Sequence, residues 1–307
     1  MATTPLSTKP ALAVRVSRRY GQLAPALMFL LPALIGFLVF FAWPAVRGLY
    51  LSFTDYNLLS DPEFVGGDNY QKLISDPVFW RSMAVTLQYV AINIVVQTIA
   101  ALGLAVLLHR FTRSMFIRGV VMLPYLIANV IVALVWYWLA DYNLGLINSA
   151  ISAVGLDRIG FFGDSQWAMV TIAMVNVWRH LGYTTLLIFA GLQAIPHDVY
   201  EAADVDGAGE FRVFRSITLP LLRPVLAFVL VVTVVGSFQI FDTIAVTTRG
   251  GPVDATNAIT YYIYNLAFTR FDFGYASALS VILMLILASI ALIQMRVLRA
   301  GHSDLER

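Results

Sequence analysis

Ser82–Leu108 reads SMAVTLQYVAINIVVQTIAALGLAVLL, an unbroken run without a single charged residue. A bilayer hydrocarbon core about 30 Å thick is crossed by roughly 20 mostly apolar residues in a helix, so this stretch is long enough to span by itself. Five further segments have the same character: Pro25–Phe53, Ile117–Ala140, Trp167–Leu192, Leu219–Val246 and Tyr275–Leu298. In lipid the backbone N–H and C=O groups must be satisfied within the segment, and the alternation of a membrane barrel strand is absent. The expectation is an all-α integral membrane protein with six transmembrane helices.

Composition agrees. Of 307 residues, 59% are hydrophobic and 12% charged, against about 25% charged in soluble domains. With no cysteine, a disulfide scaffold and thiol redox chemistry are excluded. The net charge of +2 is gathered on no basic face, which argues against a nucleic-acid partner.

Lys and Arg set the orientation of a multi-pass chain. Lys9, Arg15, Arg18 and Arg19 precede the first span, and Arg110, Arg113 and Arg118 follow the second. Arg212, Arg215 and Arg223 follow the fourth, and Arg296, Arg299 and Arg307 close the chain. The opposite side carries only Arg47, Lys72, Arg81, Arg158, Arg249 and Arg270. Both termini are predicted to be cytoplasmic. Ser17-Arg18-Arg19-Tyr20 resembles a twin-arginine signal, but the apolar stretch runs on past Trp43-Pro44 with no small-residue cleavage site. It reads as the positive flank of a first span. The expected organisation is a cytoplasmic tail over 1–24, a first helix with its external loop over 25–81, a core of five helices over 82–299, and a short cytoplasmic tail over 300–307.

Catalytic sets are missing. There is no H-E-x-x-H, and His109, His180, His197 and His302 are scattered, so no metal site is expected. No G-x-S-x-G elbow occurs. Lys9 and Lys72 are the only lysines and neither follows a glycine, so the phosphate loop G-x-x-x-x-G-K-[ST] is absent. If ATP drives this protein, another chain must bind it.

The segment over 193–224, QAIPHDVYEAADVDGAGEFRVFRSITLPLLRP, is the most informative loop. Pro196 ends the fourth span. Asp198 is the expected N-cap of a short acidic helix, with Glu201 three residues on in a capping-box arrangement. Gly207 supplies a left-handed stop. A second short helix carries Phe211, Phe214 and Ile217 on one face, and Pro220 opens the fifth span. Membrane-surface helices favour Lys and Arg on their polar face, whereas this one opens with acids, so a protein partner is the better fit.

These residues carry a resemblance. Glu201-Ala202-Ala203, Asp206-Gly207-Ala208, Phe214, Ile217, Leu219 and Pro220 resemble the EAA loop (here 193–220) of the permease subunits of bacterial ABC importers, in the maltose and glycerol-phosphate branch of carbohydrate uptake. Similar features are Phe64-x-Gly66-x-x-Asn69-Tyr70, Leu123-Pro124, Asn176-x-Trp178, Gly250-Gly251-Pro252 and Gly274-Tyr275-Ala276-Ser277-Ala278. The resemblance implies a multi-pass protein of the bacterial inner membrane. It implies coupling helices over Glu201–Ile217 that seat in a cytoplasmic ABC ATPase present in two copies, which alone binds ATP and magnesium. Gly207 would supply the turn, Glu201 and Asp206 polar contacts, and Phe211 and Phe214 apolar anchors. A second homologous permease subunit, forming a heterodimer, and an extracytoplasmic solute-binding protein are implied as well.

Polar groups inside a bilayer are costly and tend to face a bundle interior or a wet cavity. Asn176, Arg179, His180 and Tyr183 share one face of the fourth span. This helix resembles the family's sugar-contacting segment, which favours Asn176 and Tyr183. Arg179 and His180 depart from the apolar-then-Gly pattern common there and admit an anionic group on the solute. The alternative pairs Arg179 with Asp242. Gly236, Ser237, Gln239 and Asp242 in the fifth span are candidate contacts or helix–helix bonds. Tyr89, Asn93 and Gln97, like Tyr125, Asn129 and Trp136, read first as interhelical packing. Trp136, Trp138 and Trp178 are interfacial anchors or stacking platforms, and the Gly274–Ser280 small residues read as close packing. An ion-coupled secondary transporter is the competing reading; such transporters show paired broken helices, and no such pairing is apparent.

Overall fold

The computed structural model describes residues 28–112 and 114–299. The expected tails, Lys9, Arg15, Arg18, Arg19, Arg113 and Arg307, and the first residues of the first span lie outside the described residues.

The first span is a helix, α1 (Met28–Leu51). Pro44 cannot donate to the carbonyl four residues back, and just ahead of it the helix widens into a π turn over Leu38–Ala42, where the Trp43 N–H reaches Leu38. Its apolar side chains point outward, and it meets the rest of the chain near its end, against the last helix. A two-residue antiparallel pair follows, β1 (Thr54–Asp55) with β2 (Glu63–Phe64). Asn69 in α2 (Asp68–Ser75) locks this corner by donating to the Ser52 and Thr54 carbonyls at 3.0 and 2.9 Å.

The longest helix, α3 (Pro77–Phe111), starts at a strong signal: Asp76 accepts from the Val78 N–H at 2.8 Å and Pro77 needs no donor. It lies along α7 (Ala168–Gln193). One cluster of buried side chains surrounds Tyr89, Ile172, Ile259 and Leu279. A second, near the opposite end, gathers Ala101, Ala105, Ile188, Leu192 and Leu222.

The third and fifth spans depart from expectation. In place of one helix over Ile117–Ala140 there are two, α4 (Met115–Leu126) and α5 (Asn129–Leu139), bent by 90°. Pro124 removes a donor in the last turn of α4, and Ile127 and Ala128 are extended. In the fifth, α10 (Arg223–Phe238) and α11 (Asp242–Val246) flank a break at Gln239, Ile240 and Phe241. Among the described residues, four stretches are long and apolar enough to cross a membrane: α1, α3, Arg223–Val246 and Phe273–Val297. The bent α4–α5 pair makes a fifth if taken as one span. At 26 residues, α7 has the length, but Asn176, Arg179 and His180 dilute its apolar character.

The intervening loops hold helices that their mixed composition concealed: α2, α6 (Leu146–Ala153) and α12 (Ile259–Phe268). The last helix, α13 (Phe273–Arg299), begins against the β1 corner. A Cβ on Gly274 would stand 2.0 Å from the Thr54 carbonyl oxygen, so close approach accounts for the glycine that opens that small-residue cluster.

Candidate functional site

Between α3, α4, α7 and α10 lies a cavity of about 220 Å³. Its polar lining is Asn93 and Gln97 from α3, Tyr125 from α4, Asn176, His180, Tyr183 and Thr184 from α7, and Thr233 and Ser237 from α10, with Gly236 beside them. Leu187, Val229 and Val232 complete it. The helical spacing of Asn176, His180 and Tyr183 puts them on the inner face of α7, as their sequence pattern requires.

One wall is aromatic. The Tyr125 and Tyr183 rings stack with centroids 4.6 Å apart, and His180 meets Tyr125 edge-on at 5.7 Å. Another part of the lining is a polar ladder. Asn93 Nδ2 donates to Ser237 Oγ at 2.9 Å and to Gln97 Oε1 at 3.1 Å, and Gln97 Nε2 donates to Thr184 Oγ1 at 2.7 Å. Tyr89 hydrogen-bonds the Asn176 amide just above. Asn93 and Gln97 therefore do tie helices together, as read from the sequence, and they also face the cavity. Thr184 and Thr233 were missed: a threonine in an apolar helix gives no signal until its neighbours are known.

Three of the eight candidate solute contacts lie outside the lining. Arg179 turns away to the break in the third span. Its Nε and Nη2 donate to the Ile127 carbonyl at 3.1 and 2.9 Å, and Nη2 also donates to the Tyr125 carbonyl at 3.1 Å. These carbonyls lost their helical partners where α4 ends. The expected Arg179–Asp242 pair is not formed; Asp242 accepts instead from Asn129 Nδ2 at 2.7 Å. Gln239 is exposed and lines a separate groove between α10, α12 and α13. The break at 239–241 cancels the shared helical face on which Gln239 and Asp242 were paired. Trp136 and Trp178 touch edge-on at 5.5 Å, away from the cavity.

At the far end, residues 193–222 fold as two short helices. The first, α8 (His197–Val205), is preceded by Pro196 rather than capped by Asp198, because the chain turns helical directly after the extended proline. Asp198 instead sits in the first turn, and Glu201 pairs with His197 at 3.0 Å. Gly207 is left-handed at φ +66°, and the Ala208 N–H returns to Ala203, closing the helix end. The second helix, α9, begins at Glu210–Val213 and widens into a π turn over Phe214–Thr218. Ala203 is buried, whereas Ala202, Asp206 and Phe211 are exposed, Phe211 by 75%. Ala208, Phe214 and Ile217 are half-buried. Arg110 at the end of α3 reaches Glu210 at 2.7 Å. Among the described residues, no group of three or more His, Asp or Glu could hold a metal ion.

At the expected external end, Asp76 gathers three elements: Oδ2 accepts from the Tyr262 and Tyr275 hydroxyls, each at 2.7 Å. Burial pushes the Asp76 carboxyl up, but the bonds from Tyr275, Tyr262 and the Val78 N–H outweigh it and hold the group below its usual range.

Comparison with known proteins places this arrangement. Residues 97–300 match the family described as binding-protein-dependent transport system inner membrane component. The probable ABC transporter permease protein YurN of Bacillus subtilis is 34% identical, over 90% of this chain and 97% of its own. The trehalose/maltose transport system permease protein MalF of Thermococcus litoralis is also 34% identical, over 91% and 95%. A chain of a bacterial alginate ABC transporter, solved in complex with an alginate pentasaccharide-bound periplasmic protein, superposes with a TM-score of 0.78 at 25% identity, over 93% of this chain and 96% of that one. The chain belongs to the family of inner membrane components of binding-protein-dependent transport systems.

Proposed function

We propose that this chain is the transmembrane subunit of an ATP-driven importer and forms half of the pathway for a sugar or sugar-like solute. The observation that carries the reading is the cavity lined by aromatic rings together with hydroxyls and amides, in a member of this family. Stacked rings present flat apolar faces to a pyranose, and amides and hydroxyls exchange bonds with its hydroxyls. Asn176, His180, Tyr183, Gly236 and Ser237 are the contacts in this reading, joined by Asn93, Gln97, Tyr125 and Thr233. The sugar-transporting relatives support the solute class.

The chain hydrolyses nothing in this account. A partner ATPase, in two copies, binds ATP and magnesium and takes up the α8–Gly207–Glu210 turn through exposed Val205 and Phe211, which touch little of their own chain. A second permease subunit completes the pathway, and an extracytoplasmic binding protein delivers the solute. Counting α7 and the broken third span gives six crossings. The even number agrees with the basic clusters that put both termini in the cytoplasm.

The test is reconstitution of the complex with its ATPase and binding protein in proteoliposomes. ATP hydrolysis stimulated by the loaded binding protein, with sugar uptake that Tyr183→Ala and Asn176→Ala reduce at least tenfold without loss of assembly, is the expected result. Uptake driven by an ion gradient without ATP would refute it.

A further inference from the structure

Arg179 is the one full charge in the middle of α7, and its donors are largely committed. Three bonds go to the Tyr125 and Ile127 carbonyls, and Nη1 lies 3.0 Å from His180 Nε2. A guanidinium has only donors, so Nε2 must accept. The other ring nitrogen, Nδ1, lies 3.0 Å from the Asn176 carbonyl oxygen, which can only accept, so Nδ1 carries the hydrogen. Both ring positions are therefore fixed, and the imidazole is neutral. Among the described residues, no other ionisable group except the Tyr125 and Tyr183 phenols lines the cavity.

From this we infer that Arg179 is a positioning residue rather than a ligand of the solute: it holds the broken third span so that Tyr125 stacks on Tyr183, and the cavity so formed receives an uncharged part of the solute. The inference rests on reading the cavity as the solute path. The guanidinium supplies donors to the Tyr125 and Ile127 carbonyls, whose helical partners are lost where the chain is extended at Ile127 and Ala128. It also lies 5.2 Å from the Tyr125 ring centroid, so the same group grips the residue's backbone and its ring. An anion drawn to Arg179 would find one uncommitted Nη1 N–H; a bidentate grip would have to strip a bond that now serves His180 or a carbonyl. A neutral sugar ring meets only groups already arranged for it.

The absence of cysteine makes the claim testable without knowing the solute. Thr233→Cys is placed in the cavity and Val154→Cys in an exposed loop, in the full complex in nanodiscs. Each is labelled with methyl methanethiosulfonate (neutral), the sulfonatoethyl reagent (anionic) and the trimethylammonium-ethyl reagent (cationic), and the labelled peptide is quantified by mass spectrometry. The anionic-to-cationic rate ratio at Thr233→Cys, normalised to Val154→Cys, should stay within a few-fold of one. Arg179→Gln should leave that ratio unchanged while altering the neutral rate several-fold as the aromatic wall loosens. Arg179→Lys should not restore it, since an ammonium cannot bridge both carbonyls.

A normalised preference for the anion of about tenfold or more, the least expected of an unscreened guanidinium facing the cavity, that collapses in Arg179→Gln would overturn the inference. So would a neutral rate indifferent to Arg179→Gln. If the neutral reagent fails to label Thr233→Cys in the unaltered background, the cavity is closed to solutes and the pathway reading itself falls. Should Arg179→Gln not assemble, the ratio with Arg179 intact decides the charge claim and Arg179→Lys the positioning claim.

Discussion

Asn129 donates to Asp242 across 2.7 Å, and each is the first residue of a helix that resumes after a break, α5 in the third span and α11 in the fifth. The two interruptions are thereby pinned to each other, with Arg179 holding the neighbouring carbonyls. The half-helices α5 and α11 pack together and move as a unit in this account. Removing the amide leaves a half-buried carboxylate without its partner, which costs about 1–3 kcal/mol. Asn129→Ala should lower the unfolding midpoint of the purified protein by several degrees. Asp242→Ala in that background should cost little more, giving a double-mutant coupling of about 1 kcal/mol. Additive effects would mean that the pair contributes no coupling.

Asp76 predicts a pH dependence. Its carboxyl titrates below the ordinary value of 3.8 because Tyr262, Tyr275 and the Val78 N–H favour the ionised form over the cost of burial. A depressed folded pKa contributes stability that is complete above the unfolded value and is lost as pH falls through the folded one. Stability should therefore be insensitive to this group from pH 5 to 8 and decline below pH 4. Asp76→Asn should reduce stability at neutral pH and flatten the acid limb, which thermal unfolding across pH would detect. An unchanged acid limb in the variant would remove Asp76 from the explanation.

The α4–α7 contact depends on the absence of a side chain at one position. A Cβ on Gly182 would stand 1.9 Å from the Val121 carbonyl oxygen, a backbone atom that cannot rotate aside. Gly182→Ala should cost about 1–3 kcal/mol by overpacking and shift Tyr125 off Tyr183, lowering uptake more than assembly. Gly207→Ala makes the contrast: nothing lies within 4 Å of its Cβ, so only the φ of +66° is strained. It should cost about 1 kcal/mol and leave the cavity intact.

The polar ladder offers a fourth check. Interhelical hydrogen bonds within membranes average about 0.6 kcal/mol, so Asn93→Ala, which removes one to Ser237 across helices and one to Gln97 within α3, should destabilise by about 1 kcal/mol. Because Asn93 also lines the cavity, uptake should fall further than that loss explains. Equal uptake at matched protein levels would confine Asn93 to packing.

The long apolar helices and the two short helices over 193–222 were legible because each rests on local chemistry: apolar length, a proline stop, a glycine needing positive φ. The cavity was legible by half. Asn176, His180 and Tyr183 announced themselves by spacing along one helix, but Thr184 and Thr233 acquire meaning only through α3. Arg179, Gln239 and Asp242 lie outside the cavity lining for two reasons: Arg179 turns to the carbonyls freed at the 127–128 break, and the break at 239–241 ends the helical face that Gln239 and Asp242 would share. Pro124 hinted at the first break; nothing in Ser237–Asp242 announced the second. Broken helices were also the feature expected of the ion-coupled alternative, and their presence here shows that they do not separate the two classes.

The central claim is that this chain is driven from outside itself through the turn over α8 and Glu210–Val213. Phe211 is 75% exposed, so Phe211→Asp should leave the fold intact. The most direct measurement is retention of the ATPase in a mild-detergent pull-down of the tagged chain, compared with Phe211→Asp at equal expression and equal unfolding midpoint. The account predicts that the unaltered chain retains the ATPase and that Phe211→Asp loses most of it while keeping the second permease subunit. Full retention by Phe211→Asp, or no ATPase with either chain, would contradict it.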